Sequence, residues 1–358
     1  MRRHSCAAAA LLCVIAAPAP GAGAEYTVAA TQVRWANDLV ITGQAACDTG
    51  QLPLSLLREA YFGRERMMRC TDAVLALPQD DPSTPEDEER GEGNEVALEA
   101  YRQSCLVSFA SVTDPNGGFA GNRATSRHLI SMSSAAEVDR LSRSVGTLSS
   151  TIVENYCSAT LVDFGDGAST LVTAAHCLGE LAPEEGGRAV LKSVRPKIEF
   201  RTLSGEQVTL RLAKELRGHE IAYPNEDVVG LPLPIAPDGI VPVSSVSPAL
   251  FEPLLVVGAN PYLSGKKSKT AAPPDLADLI AVSLEPYCVS FGQSAEGRLF
   301  HNCQTDHSQS GSAILAIRDG QFVFNGVHTR GDETQEYPCT GAIGSYNSGL
   351  AIGRRHRQ

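Results

Sequence analysis

The segment Leu171-Val172-Thr173-Ala174-Ala175-His176-Cys177, preceded by Tyr156-Cys157-Ser158-Ala159-Thr160-Leu161-Val162, decides how this chain is read. Both runs are short, apolar and rich in β-branched residues, and the Gly/Asp-rich stretch from Asp163 to Ala168 joins them. They predict two paired strands that deliver an imidazole at the end of the second. The same texture continues outward from about Arg140. Strands are expected at Val145–Leu148, Tyr156–Val162, Ser169–Thr173, Ala189–Phe200, Gln207–Leu212 and Leu254–Val257. Leu279–Phe291, Arg298–Cys303, Ala313–Ile317, Phe322–Thr329 and Gly349–Ile352 read the same way. Many short strands divided by turn residues, with few helices, argue an all-β sandwich or a pair of barrels over residues 140–358.

Two further segments follow His176 in chain order. One is Asn225-Glu226-Asp227-Val228-Val229-Gly230-Leu231, and the other runs from Cys303 through Gln304, Thr305 and Ser308-Gln309-Ser310-Gly311-Ser312 to Ala313. A serine hydroxyl at its normal pKa is a poor nucleophile. A histidine titrating near neutrality can take its proton during attack, and a buried carboxylate can fix the imidazole tautomer. Ser310, His176 and Asp227 supply these three groups. Small residues around Ser310 let the backbone turn sharply enough to aim N–H groups at a developing oxyanion.

On these residues the chain resembles the trypsin/chymotrypsin family of serine proteases, and especially the bacterial branch that includes glutamyl endopeptidases. "LVTAAHC" is similar to the family's histidine motif, Asp227-Val228-Val229 to its aspartate motif and Ser310-Gly311-Ser312 to its serine motif. The 51 residues from His176 to Asp227 and the 83 from Asp227 to Ser310 are near the family's spacing. The resemblance spans residues 144–353. It implies two antiparallel six-stranded β-barrels with the triad in the cleft between them, and a Cys157–Cys177 disulfide bracketing the histidine loop. It also implies an oxyanion hole built from the N–H groups of Ser308 and Ser310, and endopeptidase activity through an acyl-enzyme, with no cofactor and no metal.

The chain departs from the family in three places. Ser308 stands where the family usually has Gly, and losing one oxyanion donor typically costs about 2.7 to 4 kcal/mol of transition-state stabilisation. Gln309 replaces the Asp that pairs with a newly cut N-terminus in trypsin-like zymogens. Gln304 replaces the acid that selects Lys or Arg, which disfavours a preference for basic side chains, since an amide cannot neutralise a buried cation. Gly326-Val327-His328-Thr329-Arg330-Gly331 is similar to the pocket strand of glutamyl endopeptidases. His328, Thr305 and Arg330 are therefore candidate ligands for a substrate carboxylate, against a pocket for small apolar groups. Thr329 and Gly331 offer backbone groups to an extended substrate. A protease-like peptide-binding protein that has lost the oxyanion geometry is the alternative. An esterase of the α/β-hydrolase fold fails on chain order, which there runs Ser, acid, His.

Outside this unit, residues 1–24 have a basic start, a short apolar run from Ala7 to Ala17 and an Ala22-Gly23-Ala24 ending, the form of a secretory signal cut before Glu25. Residues 25–139 form an N-terminal extension. It contains an expected amphipathic helix over Pro53–Met68, a second helical stretch over 96–109, and an acidic, proline-containing linker at 78–95. Without the signal eight cysteines remain, an even count that reads as disulfides in an exported chain and favours a secreted or periplasmic location. Cys288 and Cys303 flank a hairpin and are expected to pair. Cys47 with Cys70 and Cys105 with Cys339 complete the expected set. No C-x-x-C or H-E-x-x-H spacing supports a metal site.

The 358 residues carry 43% hydrophobic, 20% charged and 6% aromatic content and a formal net charge of −11, with no dense arginine stripe, which argues against a nucleic-acid partner. No apolar run after the signal approaches the ~20 residues needed to span a bilayer. Protein or peptide substrates are the expected partners. His219, His301 and His307 are expected at the surface, without a chemical role.

Overall fold

A computed structural model describes residues 24–41, 106–108, 134–150, 157–166, 168–184, 186–202, 204–223, 225–234, 241–242, 248–249, 252–259, 280–283, 288, 290–301, 303, 305, 309–336 and 343–352. Strands alternate short apolar stretches with tight turns, and two large sheets and one small one result. The first half holds β1 (Ala24–Val28), β2 (Arg34–Trp35), β4 (Val145–Ser150), β5 (Cys157–Asp163), β6 (Ser169–Thr173), β7 (Gly179–Glu184), β8 (Arg188–Val194), β9 (Lys197–Thr202), β10 (Gln207–Leu212), β11 (Glu220–Ala222) and β12 (Val229–Leu233). Its main sheet runs β1-β10-β9-β4-β5-β6-β12-β2, and β7, β8 and β11 make a smaller one. The second half runs β16-β17-β20-β19-β18-β14-β15-β3, with β3 (Leu106–Ser108), β14 (Leu255–Ala259), β15 (Ile280–Ser283), β16 (Ser290–Gln293), β17 (Arg298–His301), β18 (Ala313–Arg318), β19 (Gln321–Glu336) and β20 (Ile343–Ala351). The architecture is mostly β, with few helices. A short strand, β13 (Val241–Pro242), pairs with β5.

Three apolar clusters account for the packing. One fills the first sheet around Leu148, Leu171, Phe200 and Leu210. Another lies in the second around Val256, Leu299 and Ile314. The third joins the halves, and in it Val162, Val172 and Val228 of the first meet Ala313, Phe324 and Val327 of the second. Burial of these side chains contributes roughly 25 cal/mol per Å² and fixes the halves against each other.

Several expectations change against the structure. The run Ala189–Phe200 is two strands, because Pro196 offers no N–H to continue the ladder and Arg195-Pro196 turns the chain between β8 and β9. The run Leu279–Phe291 is also two strands, β15 and β16, which lie near opposite ends of the second sheet. Leu106–Ser108, expected within a helix, is a strand paired antiparallel with β15, where an open edge overrides helical periodicity. An unexpected helix, α2 (Ala135–Ser144), runs through position 139/140 directly into β4. Ser134 caps its first turn by accepting from Glu137 N, and Glu137 in turn accepts from Phe322 N of β19 at 3.2 Å.

Residues 24–41 are woven into both halves. β1 pairs parallel with β10, β2 pairs with β12, and the short helix α1 (Ala36–Leu39) buries Ala36 and Leu39 in the joining cluster. Ile41 N donates to Ala351 O at 3.0 Å, and Gln293 Nε2 donates to Ile41 O at 2.5 Å, both in the second half. Arg34 stacks over Phe164 and pairs with Asp166 at 3.3 Å. The expected signal through Gly23, the helix at Pro53–Met68, the acidic linker and the pairs Cys47–Cys70 and Cys105–Cys339 lie outside the described residues. No helix among the described residues is long and apolar enough to cross a membrane.

Candidate active site

His176 sits in a 3-10 turn, Ala175–Leu178, immediately after β6. The preceding strand is buried along its whole length, so the chain can turn out of the sheet only where the apolar run ends. Cys177 is tied to Cys157 by a disulfide, and a second bridge joins Cys288 to Cys303. Loops of this size constrain the unfolded chain by about 3 kcal/mol. His176, Cys157 and Cys177 lie close enough to hold a metal, but both sulfurs are consumed in the bridge and no thiolate is left to bind one.

Asp227, fully buried, precedes β12. It grips the histidine twice: its Oδ2 lies 2.6 Å from His176 Nδ1, and its Oδ1 accepts from the His176 backbone N at 3.0 Å. The pair leaves the His176 side chain 30% exposed on its other side. Desolvation disfavours the imidazolium, but the charge and hydrogen bond of Asp227 together outweigh it and raise the pKa above 6.5. Arg195 and Arg330 oppose that rise with their own charges. Arg195 donates to Cys177 O at 3.2 Å from its side chain, and to Leu178 O at 2.8 Å from its backbone.

Ser310 lies in the turn before β18, against the histidine turn. Its carbonyl accepts from Ser158 N at 2.8 Å and lies 3.7 Å from Cys177 Sγ. The next residue, Gly311, has φ +86°, and a Cβ there would come within 2.0 Å of Ser158 O and 2.4 Å of Thr173 Oγ1. Glycine is therefore required on both backbone and steric grounds. Gly311 N donates to His328 O at 2.8 Å, and His328 N donates to Ser312 O at 2.9 Å, so the serine turn is sewn to the strand that carries His328. Ser312 Oγ donates to Ser158 Oγ at 3.1 Å. No hydrogen bond joins the Ser310 hydroxyl to His176 among the described residues.

His328 is buried on β19, with Thr329 buried beside it, Arg330 half-buried and Gly331 exposed. Thr305 is half-buried, while Gln304, Ser308 and His307 lie outside the described residues. His301, expected at the surface, is instead fully buried: β17 turns it inward, and its Nε2 lies 3.3 Å from His328 Nδ1. The rings meet edge to face at 5.3 Å. His301 Nδ1 has no partner among the described residues. One hydrogen is shared between His301 Nε2 and His328 Nδ1, and which ring donates is set by the tautomer. Desolvation holds His328 at a pKa of about 3, with His176 adding repulsion, and holds His301 well below its ordinary value. His219, also expected at the surface, is half-buried and stacks on Trp35 at 3.6 Å.

Sequence reasoning missed His301, Arg195 and Tyr223, whose ring lies 5.1 Å from the Arg330 guanidinium carbon. His301 had a signal in its place on the apolar run Leu299-Phe300-His301; the other two come close to the site only through the fold.

No protein-family model matches the chain. No curated protein matches it. Among solved structures, the protease Anisep from Arthrobacter nicotinovorans is similar at 15% identity and TM-score 0.37, covering 59% of this chain and 90% of its own. The thermostable serine protease AL20 from an extremophilic microorganism is similar at 15% identity and TM-score 0.36, covering 60% and 93%. A Glu endopeptidase solved with MPD is similar at 12% identity and TM-score 0.31, covering 62% and 88%.

Proposed function

We propose that this chain is an exported serine endopeptidase. Ser310 attacks the scissile carbonyl, His176 takes its proton and returns it to the leaving amine, and Asp227 holds the imidazole in the Nδ1–H tautomer and stabilises its cation. The observation that carries this reading is the double grip of Asp227 on His176, with the Ser310 carbonyl held nearby by Ser158 N at 2.8 Å. Catalytic hydrogen bonds of the Ser–His kind commonly tighten only when substrate fills the site. The N–H groups of Ser308 and Ser310 are the proposed oxyanion donors.

The side-chain pocket is proposed to take an acidic residue. In the tautomer in which His301 donates to its Nδ1, His328 has an Nε2–H to offer a substrate carboxylate, and Thr305 is the accompanying hydroxyl. Residues 25–139 are read as an extension of the protease unit and residues 1–24 as an export signal. The two disulfides fit an oxidising compartment.

A second reading, a peptide-binding protein without turnover, draws on the missing hydrogen bond between Ser310 and His176. A fluorophosphonate probe separates the two. Stoichiometric labelling that is lost in Ser310→Ala supports the enzyme, and none on folded protein supports the binding protein. Peptide-library cleavage beside the same control reads the preference, and cuts after Glu or Asp support the His328 assignment.

A further inference from the structure

Asp227 lies between β11 (Glu220–Ala222) and β12 (Val229–Leu233), so its position depends on how the two ends of that connection are held. Within it, Glu226 ties back to Ala222: its carboxylate accepts from Ala222 N at 2.9 Å, and its own N donates to Ala222 O at 2.7 Å. At the exit, Val229 stands two residues beyond Asp227 and is paired on both sides, with Thr173 of β6 and with Trp35 of β2. At the entry, His219 immediately precedes β11. Its ring is stacked on the Trp35 ring, with centroids 3.6 Å apart and planes 9° from parallel. Trp35 therefore meets both ends, its backbone at the exit and its indole at the entry.

Trp35 comes from the N-terminal stretch, outside the residues 140–358 that supply His176, Asp227 and Ser310. That stretch is anchored on either side of the indole. Arg34 pairs with Asp166 and stacks over Phe164, while Ala36 and Leu39 are buried in the joining cluster. Trp35 itself packs against the first-half core. The two bonds from Asp227 to His176, at 2.6 and 3.0 Å, are directional and weaken steeply when misaligned. We infer that Trp35 and His219 are positioning residues, a clamp reaching from the N-terminal stretch that closes the connection carrying Asp227 and keeps its carboxylate aligned with His176. This deepens the peptidase reading and rests on it for the role of Asp227, whereas the clamp is read without turnover.

The test uses full-length Ser310→Ala protein with isotope-labelled histidine. An NMR titration follows the His176 imidazole, whose signal is assigned by its loss in His176→Gln. Trp35→Ala is expected to lower the midpoint by about one pH unit, equivalent to a tenfold weaker hold of Asp227 on the imidazolium. Trp35→Phe keeps the parental midpoint, because a flat ring remains to stack. His219→Ala lowers it as Trp35→Ala does, and the double variant goes no further than either alone. Arg195 and Arg330, the other charges acting on His176, are untouched by these substitutions. Lost stability by itself leaves the midpoint of the folded protein where it was. An unchanged midpoint in folded Trp35→Ala therefore overturns the inference, as does a midpoint in Trp35→Phe as low as in Trp35→Ala. If Trp35→Ala does not fold, His219→Ala decides, and an unchanged midpoint there overturns it. Trp35 is the one tryptophan of the chain, so its emission reports the stack directly, and identical emission from parent and His219→Ala also overturns it. In the Ser310 protein, Trp35→Ala should lower kcat about tenfold with KM within about twofold. A lowered midpoint beside a parent that hydrolyses nothing removes the enzymatic reading and leaves the clamp standing.

Discussion

His301 Nε2 lies 3.3 Å from His328 Nδ1, and both rings are buried in the second half with no carboxylate recorded against either among the described residues. Their protonated forms are disfavoured in the folded state, chiefly by desolvation. In the unfolded chain each takes up a proton near 6.5. The unfolded state therefore binds more protons in the window from 6.5 down to about 3, and stability is fully present above that window and lost as pH falls through it. Denaturant melts between pH 7 and pH 4 should show this decline, and His301→Gln should flatten its slope. An equally steep slope in the variant counts against the pair as its source.

His176 works in the opposite sense, because its pKa is raised. Its pairing with Asp227 stabilises the fold fully below 6.5 and that contribution fades as pH rises through the raised value. Catalysis as a base needs the neutral form, so the acid limb of kcat/KM should lie above 6.5. Asp227→Asn should move the His176 titration downward and lower kcat by about 10⁴-fold. An NMR titration of the imidazole follows the first effect even where activity is too low to measure.

Gly311→Ala places a methyl group 2.0 Å from Ser158 O at a positive φ. The expected loss is at least about 2 kcal/mol, together with loss of fluorophosphonate labelling at Ser310. A variant with parental melting and labelling would contradict the account of the serine turn.

Leu39→Ala tests whether residues 24–41 are part of the folded unit. Leu39 is 0% exposed in the cluster between the halves, so truncation should cost about 2 to 5 kcal/mol in denaturant unfolding. A surface-attached extension would lose almost nothing.

The core of the first half was legible because its strands obey local rules. Ser169–Thr173 and Gln207–Leu212 fall where their β-branched runs begin and end. His176 and Asp227, 51 residues apart, were legible as motifs, and their contact follows from β6 pairing antiparallel with β12, Thr173 opposite Val229. Features set by distant pairing were not legible. Leu106–Ser108 takes its conformation from the edge of β15, and Glu220–Ala222 from β8. His301 looked like a surface residue because a polar ring on a strand normally faces water, and only the second ring of His328 explains its place inside. The Arg330–Tyr223 contact joins residues more than a hundred positions apart and has no local signature.

The pairing of β1 with β10 sets Ala24 opposite Val208. Contacts so distant in sequence slow assembly, because a large loop must close before they are rewarded. The opening strand waits, without its neighbour, until the polypeptide as far as Leu212 has been made. Assembly of the first sheet is for that reason a late event in the life of the nascent chain, and its order of synthesis is not its order of folding.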